Sequence, residues 1–388
     1  MIATQPTVED VPLRAVALLG TRHAPPHEQA SHQAVAQGLA TLLAAPVADP
    51  LTLRASLPDA HGGGRVYLVP TDTLVAGGGV NDLDVTHEKH LFGGLAPFPF
   101  VATKAITHPL IGPHAVAPLG WSEAFAQQVE HAVLPGWSVF SEADARQACV
   151  TLLESGPVRV KPVDGRAGRG QSVVRSLDEL GPALGQIDRD TLAQCGLVLE
   201  AHLEDVVTFS VGHVQVGDDA IAYVGTQCLT EDNQGEMVYG GSTLYVVRGG
   251  FENLLSRTLS DDDRRAIEQA RCYDAAALVC FSGLIASRRN YDMVSGRNSR
   301  GQPVSGVLEQ SWRIGGASGA EVAALLAFRD DPALNEIRAS TVERYGRAHV
   351  PPEGARVMFE GDDPECGPMI KYVTVEPVAP QNTMTRMP

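Results

Sequence analysis

Residues 287–316 read SRRNYDMVSGRNSRGQPVSGVLEQSWRIGG, two strand-like runs on either side of the turn-forming cluster SGRNSRGQP. A hairpin centred between Arg300 and Gly301 places Asp292 opposite Glu309, Asn290 opposite Ser311 and Arg288 opposite Arg313. Strand side chains alternate, so these residues line one face. Tyr291, Met293, Leu308 and Trp312 are left to pack on the other. Facing side chains have Cβ atoms about 4.5–5.5 Å apart, and like charges so placed repel. Two carboxylates in that position call for a shared proton or a cation, and hard oxygen donors suit Mg2+. The plain alternative is a solvated strand face whose acids are offset by neighbouring arginines. A bulge in either run would break the register.

Directly after the ribbon comes IGGASGAE. Ser318 and Glu321 have the spacing of a capping box, and AEVAALLAF continues as a helix. Gly315 and Gly316 would then leave backbone N–H groups free ahead of a positive helix end, a seat for phosphate or carboxylate. A glycine-rich helix entry without a ligand explains the same residues.

Upstream, VRVKPVDGRAGRGQSVV (158–174) sets three glycines and two arginines behind a strand that carries Lys161. Glycines let backbone N–H groups approach phosphate oxygens, and Lys161 with Arg166 or Arg169 would neutralise them. A phosphate loop of the Walker or dinucleotide type must feed a helix, whereas QSVVR is strand-like. The loop therefore bridges two strands like a flap; an ordinary glycine-rich hairpin is the alternative. Only four of the 30 basic residues are lysines (Lys89, Lys104, Lys161 and Lys371), which singles out the one beside this loop.

Around these motifs the order of elements is regular. RAVALLG at 14–20, a helical period over 27–44 and RVYLVP at 65–70 read as an α/β start with a parallel sheet. GTRH at 20–23 is a turn that could hold a ligand or be a plain turn. The Gly-, Pro- and aromatic-rich stretch 92–120 reads as an irregular connector. Helices are expected over 141–154, capped by Ser141, and over 261–280, with strands at 196–203, 208–216 and 219–229. From about 377 the chain is Pro-rich and polar and reads as a loose end.

Length and composition exclude several classes. The 388 residues suggest two or three domains, and 44% hydrophobic with 20% charged residues excludes bulk disorder. A formal charge of −16 argues against nucleic acid and anionic membranes as partners. No apolar run reaches the roughly 20 residues of a membrane span, and the start lacks a secretory pattern. The six cysteines form no CxxC pair, which disfavours a zinc site or disulfide framework and makes a cytoplasmic location the expectation.

In their order and spacing, VRVKPVDGRAGRGQSVV, VLEAHL and NYDMVSG with GVLEQSWRIGG resemble the ATP-grasp superfamily over about residues 100–330. The GRG loop and the spacing of Glu309, Ser311 and Arg313 are most similar to its biotin-carboxylase branch. As a whole the chain resembles an uncharacterised domain family within the superfamily. The fold implied is α/β and α+β: an N-terminal Rossmann-like layer, a small lid subdomain and a larger antiparallel-sheet subdomain. Expected boundaries are 1–105, 106–205, 206–345 and a C-terminal extension 346–388.

The activity implied is an ATP- and Mg2+-dependent ligase, with Mn2+ as a substitute, that joins a carboxylate to an amine through an acyl phosphate. A biotin-carboxylase-like enzyme and a nucleotide-binding protein without turnover are the alternatives. Small-molecule acids and amines are the implied partners, and a homodimer is left open. By position, Lys161 would hold the α- and β-phosphates, with Lys104 as an earlier nucleotide-contacting lysine. Arg166, Gly168, Arg169 and Gly170 would form the flap. Glu200 to Leu203 match the adenine hinge, read by backbone groups of Ala201 and Leu203, and Thr208 sits near the ribose position. Asp292 and Glu309 would bind the metal, and Arg313 would steady the γ-phosphate or acyl phosphate. The family usually has Glu-x-Asn where this chain has Glu309-Gln310-Ser311, so Asn290, facing Ser311, could supply the missing amide oxygen.

Overall fold

The computed structural model describes residues 12–20, 24–48, 64–77, 83, 85–163 and 170–378. The chain begins with β1 (Leu13–Leu19), α1 (Pro26–Leu42), β2 (Val47–Ala48) and β3 (Arg65–Pro70). Short strands β4 (Leu74–Val75) and β5 (Gly94–Ala96) follow, then two 3-10 turns at Pro99–Ala102 and Lys104–Ile106. Next come α2 (Glu123–Val129), β6 (Gly136–Val139), α3 (Glu142–Leu153), β7 (Val158–Pro162), β8 (Ser172–Val174), α4 (Leu177–Leu184), α5 (Arg189–Cys195) and β9 (Leu197–Ala201). The long strands β10 (Glu204–Val216), β11 (Asp219–Glu231) and β12 (Met237–Arg248) lead to α6 (Phe251–Leu255) and α7 (Asp261–Cys280). The chain ends with β13 (Ile285–Ala286), β14 (Arg288–Arg297), β15 (Pro303–Ser311), α8 (Ser318–Asp330), β16 (Glu336–Tyr345), β17 (Arg356–Asp363) and β18 (Gly367–Pro377). Among the described residues no helix is long and apolar enough to cross a membrane.

These elements divide into two compact units. The first comprises residues 1–66, 216–256 and 315–388; the second comprises 67–215 and 257–314. In the first, β1 pairs in parallel with β2 across α1, the Rossmann-like start expected from the sequence. The rest of this unit is antiparallel, in the order β11-β12-β16-β18-β17. The expected capping box at α8 does not form. Ser318 is already helical, and its Oγ accepts the Gly315 N–H at 3.0 Å, so that N–H is not free for a ligand. Glu321 is buried and accepts a 2.5 Å hydrogen bond from Tyr223 OH. An S-x-x-E spacing cannot tell a cap from a buried acid one residue further into the helix.

The second unit contains the four-stranded antiparallel sheet β6-β9-β7-β8 and a small sheet β13-β5-β4. One face of the four-stranded sheet is covered by helices. Val158, Val160, Leu197 and Leu199 pack against Ala148, Cys149 and Leu152 of α3, Leu180 of α4 and Leu192 of α5. α3 starts where the sequence expects it, with Ser141 Oγ accepting the Asp144 N–H at 3.1 Å. The ribbon β14–β15 belongs to the same unit and pairs through β14 with β10. Its turn is closed by Asn298, whose Oδ1 accepts the Arg300 and Gln302 N–H groups. Gly301 there adopts φ +71°, a left-handed conformation that favours glycine.

The ribbon register agrees with the sequence reading at its base and departs from it above. Asn290 faces Ser311, Tyr291 faces Gln310 and Asp292 faces Glu309, but the next pair is Met293 with Val307. Leu308 is bulged out. Val307 therefore joins Tyr291, Met293 and Trp312 as a buried residue, and Leu308 packs instead beside Leu134, Leu203 and Val294. The expectation that Leu308 shares the Trp312 face is corrected on that ground. Next to the bulge, a Cβ on Gly306 would lie 2.8 Å from the backbone of Val133, so only glycine permits this approach.

Candidate functional site

The site is built on three pieces of the second unit: the β7–β9 pair, the 3-10 turn carrying Lys104, and the β14–β15 ribbon. Lys161 of β7 faces Val198 of β9, so Glu200 is its diagonal neighbour on the same face. Lys161 Nζ lies 3.2 and 3.3 Å from the two Glu200 carboxylate oxygens. His108 Nε2 approaches the same carboxylate at 3.2 Å. All three side chains are buried. Burial pushes the Glu200 carboxyl up, but Lys161 and His108 outweigh it and hold it below its ordinary range. A third contact of Lys161 is the Leu308 carbonyl at 3.3 Å. The bulge thus turns a ribbon carbonyl toward the lysine of the neighbouring strand pair.

Lys104 is placed by tight local chemistry. Thr103 Oγ1 caps the turn by accepting the Ala105 N–H, and Gln310 Nε2 donates to Val101 O at 3.1 Å and Thr103 O at 2.6 Å. Gln310 therefore points away from Glu309 and anchors the segment that carries the lysine. Lys104 Nζ reaches Glu309 Oε2 at 2.6 Å.

Asp292 and Glu309 face each other across the ribbon, both half-buried. Burial first, and the Glu309 charge second, push the Asp292 carboxyl up to about 6, against the pull of Asn290, Arg288 and Arg313. Asn290 Nδ2 donates to Asp292 Oδ1 at 3.3 Å. Arg288, fully buried, donates through Nη1 to Ser311 O at 3.0 Å, Ser311 Oγ at 3.3 Å and Arg313 O at 2.6 Å. Arg313 is half-buried, and its Nη1 donates to Ile314 O at 2.8 Å. Two facing carboxylates flanked by an amide and a hydroxyl form an all-oxygen set, a donor set that fits Mg2+.

The remaining expected residues are distributed as follows. Thr208 faces Val294 on β10, two residues before Ser210, which faces Asp292. Leu203 is buried, and the Ala201 N–H donates to Pro135 O at 2.8 Å, so that N–H is already taken. Gly170 is exposed with φ +74°. Arg166, Gly168 and Arg169 lie outside the described residues, as do Thr21 to His23 of the GTRH turn and most of the C-terminal end. A cleft of about 540 Å³ runs past the 201–203 segment, Trp137, Leu152 and Arg300, but neither lysine and neither ribbon carboxylate lines it. Sequence reasoning missed His108, Gln310 and the clamping role of Arg288. A buried His or Gln carries no spacing signal, although Arg288 stands on the predicted ribbon face.

Over residues 16–373 the chain matches the family described as Protein of unknown function (DUF3182), and it belongs to that family. No curated protein matches it. Among solved structures it is similar to N5-carboxyaminoimidazole synthetase from Staphylococcus aureus, at 12% identity, covering 93% of each chain with a TM-score of 0.51. It is also similar to a biotin carboxylase–β,γ-ATP complex from Campylobacter jejuni, at 10% identity over 94% of this chain and 87% of that one, TM-score 0.49. A third is carboxyaminoimidazole ribonucleotide synthase from Aspergillus clavatus complexed with ATP, at 15% identity over 94% of each chain, TM-score 0.48. The staphylococcal likeness shows the fold, and that fold is ATP-grasp.

Proposed function

We propose that the chain is an ATP- and Mg2+-dependent ligase that activates a carboxylate as an acyl phosphate and joins it to an amine or similar nucleophile. The observation that carries this reading is the facing pair Asp292 and Glu309, with Lys104 on one of them and Lys161 tied to the adjacent bulge. A substrate carboxylate oxygen attacks the γ-phosphorus and ADP departs. The amine then attacks the acyl carbon, loses a proton, and phosphate leaves. Asp292 and Glu309 would hold Mg2+, which would supply neutralisation of the phosphate charge. Lys161 and Lys104 hold the phosphates, Arg313 steadies the group in transfer, and Asn290 orients Asp292. By the family resemblance, Arg166, Gly168, Arg169 and Gly170 would contact the triphosphate. The segment from Glu200 to Leu203 and Thr208 take the adenosine. Catalysis in this scheme is alignment and charge stabilisation.

The same reading keeps the domain boundaries at 105, 205 and 345, a cytoplasmic location and small-molecule partners as proposals, with a homodimer left open. Its test is an ADP-release screen of pooled carboxylates, bicarbonate included, against pooled amines. Lys161→Ala and Glu309→Gln are expected to lower the rate by about 10²–10³. Wild-type rates in either variant would overturn the assignment. A second reading, nucleotide binding without turnover, is favoured by one observation: Ser311 Oγ already accepts from Arg288. Tight ATP binding with no ADP release from any pool would select it.

A further inference from the structure

The first unit holds a side-chain cluster that the proposed chemistry does not use. Among the described residues, His27, Asp363 and Cys366 bring one donor atom each within 4.8 Å of one another. His27 lies in the first turn of α1, and the other two lie at the turn between β17 and β18, so the trio joins segments 336 residues apart. His27 and Asp363 are buried, while Cys366 is partly open. We propose that His27, Asp363 and Cys366 bind Zn2+, with water in the fourth position on the open side.

The geometry supports three points. First, tetrahedral zinc with Zn–S of about 2.3 Å and Zn–N of about 2.0–2.1 Å separates the two donors by about 3.6 Å. His27 Nε2 and Cys366 Sγ stand 3.7 Å apart. Second, the Asp363 carboxylate is fixed before any ion arrives. Oδ1 accepts the Glu365 and Cys366 N–H groups, and Oδ2 accepts the His27 N–H at 3.1 Å. Those bonds hold its carboxyl below the ordinary range despite the opposing effect of burial, so it is ionised at neutral pH. A carboxylate has about four lone-pair sites, and three are used here, leaving one for a cation. Third, His27 and Asp363 are buried while Cys366 is partly open, which leaves one side of the trio accessible to the water ligand. Histidine, carboxylate and thiolate together suit zinc better than magnesium or calcium. Binding expels the Cys366 thiol proton to solvent, so affinity rises with pH. The ion would staple α1 to the hairpin and leave one coordination position exchangeable.

The test uses the full chain without a histidine tag, stripped with a chelator and titrated with Co2+ and then Zn2+. The expected result is about one equivalent of Co2+ with a thiolate-to-cobalt absorption band, displaced by Zn2+. An oxygen-only site such as the Asp292–Glu309 pair gives no thiolate band, so the two sites report separately. Cys366→Ser and His27→Gln should each abolish the band, and Cys272→Ser should keep it, although Cys272 Sγ also has a histidine nitrogen, His131 Nε2, at 3.6 Å. Cys366→Ser changes one atom, and a wild-type melting temperature for its metal-free form certifies the fold. No band in the wild type, or a band that survives Cys366→Ser, would overturn the proposal.

Discussion

Two charged clusters of the second unit differ in how their charge is closed. Around Glu200, a lysine and a histidine share one carboxylate, every member is buried, and the carboxyl is held below its ordinary range. Around Asp292, two carboxylates face each other, both stay half-open, and one is pushed up to about 6. The first cluster is complete as it stands. The second sets two like charges side by side where solvent and ligands can reach them, with Lys104 on Glu309 and Arg288 and Arg313 near Asp292; a bound cation would relieve that repulsion.

The largest expected effect separates the two clusters by stability. Glu200→Gln leaves the buried Lys161 ammonium without a counter-charge and should cost about 3–5 kcal/mol, read by urea unfolding. Asp292→Asn removes a destabilising charge instead and should leave the metal-free protein at least as stable as the wild type. Equal losses in both variants would erase the contrast.

Next in size is a pH dependence. The Asp292 carboxyl has a raised value in the folded state, so the folded form holds its proton more tightly than the unfolded form. Its favourable contribution is complete below the ordinary carboxylate range and is lost as pH rises through about 6. Metal-free protein should therefore lose stability between about pH 4 and 6, and Asp292→Asn should remove that component. Saturating Mg2+ should reverse the trend, because the ion binds the ionised pair. The smallest effect belongs to Asn290→Ala, which should weaken Mg2+ binding by about tenfold, since Asn290 Nδ2 donates to Asp292 and orients its carboxylate.

Much of this contrast was legible in the sequence. Alternation and turn residues set Asp292 against Glu309 and Asn290 against Ser311, because a period of two leaves little choice of register near the ribbon base. The bulge at Leu308 was not legible. It depends on the backbone of Val133 approaching Gly306, a contact across about 170 residues of chain. The Lys161 strand is legible in the sequence, but the side chains that surround it are not. Glu200 opens the segment that resembles an adenine hinge, and nothing in its spacing tells that its side chain also neutralises the lysine. His108 gave no signal, because a single histidine among prolines has no periodic neighbour. Ser318 and Glu321 matched a capping pattern, yet Tyr223, nearly a hundred residues upstream, claims the glutamate.

The central claim is that the ribbon carboxylates hold a divalent cation together with ATP. Calorimetric titration of ATP into the wild type and into Asp292→Asn/Glu309→Gln, each with Mg2+ and with chelator, tests it most directly. The account predicts that Mg2+ tightens ATP binding to the wild type by at least about tenfold and has no effect on the double variant. ATP affinity that is indifferent to Mg2+ in the wild type, or enhanced by Mg2+ equally in both proteins, would contradict it.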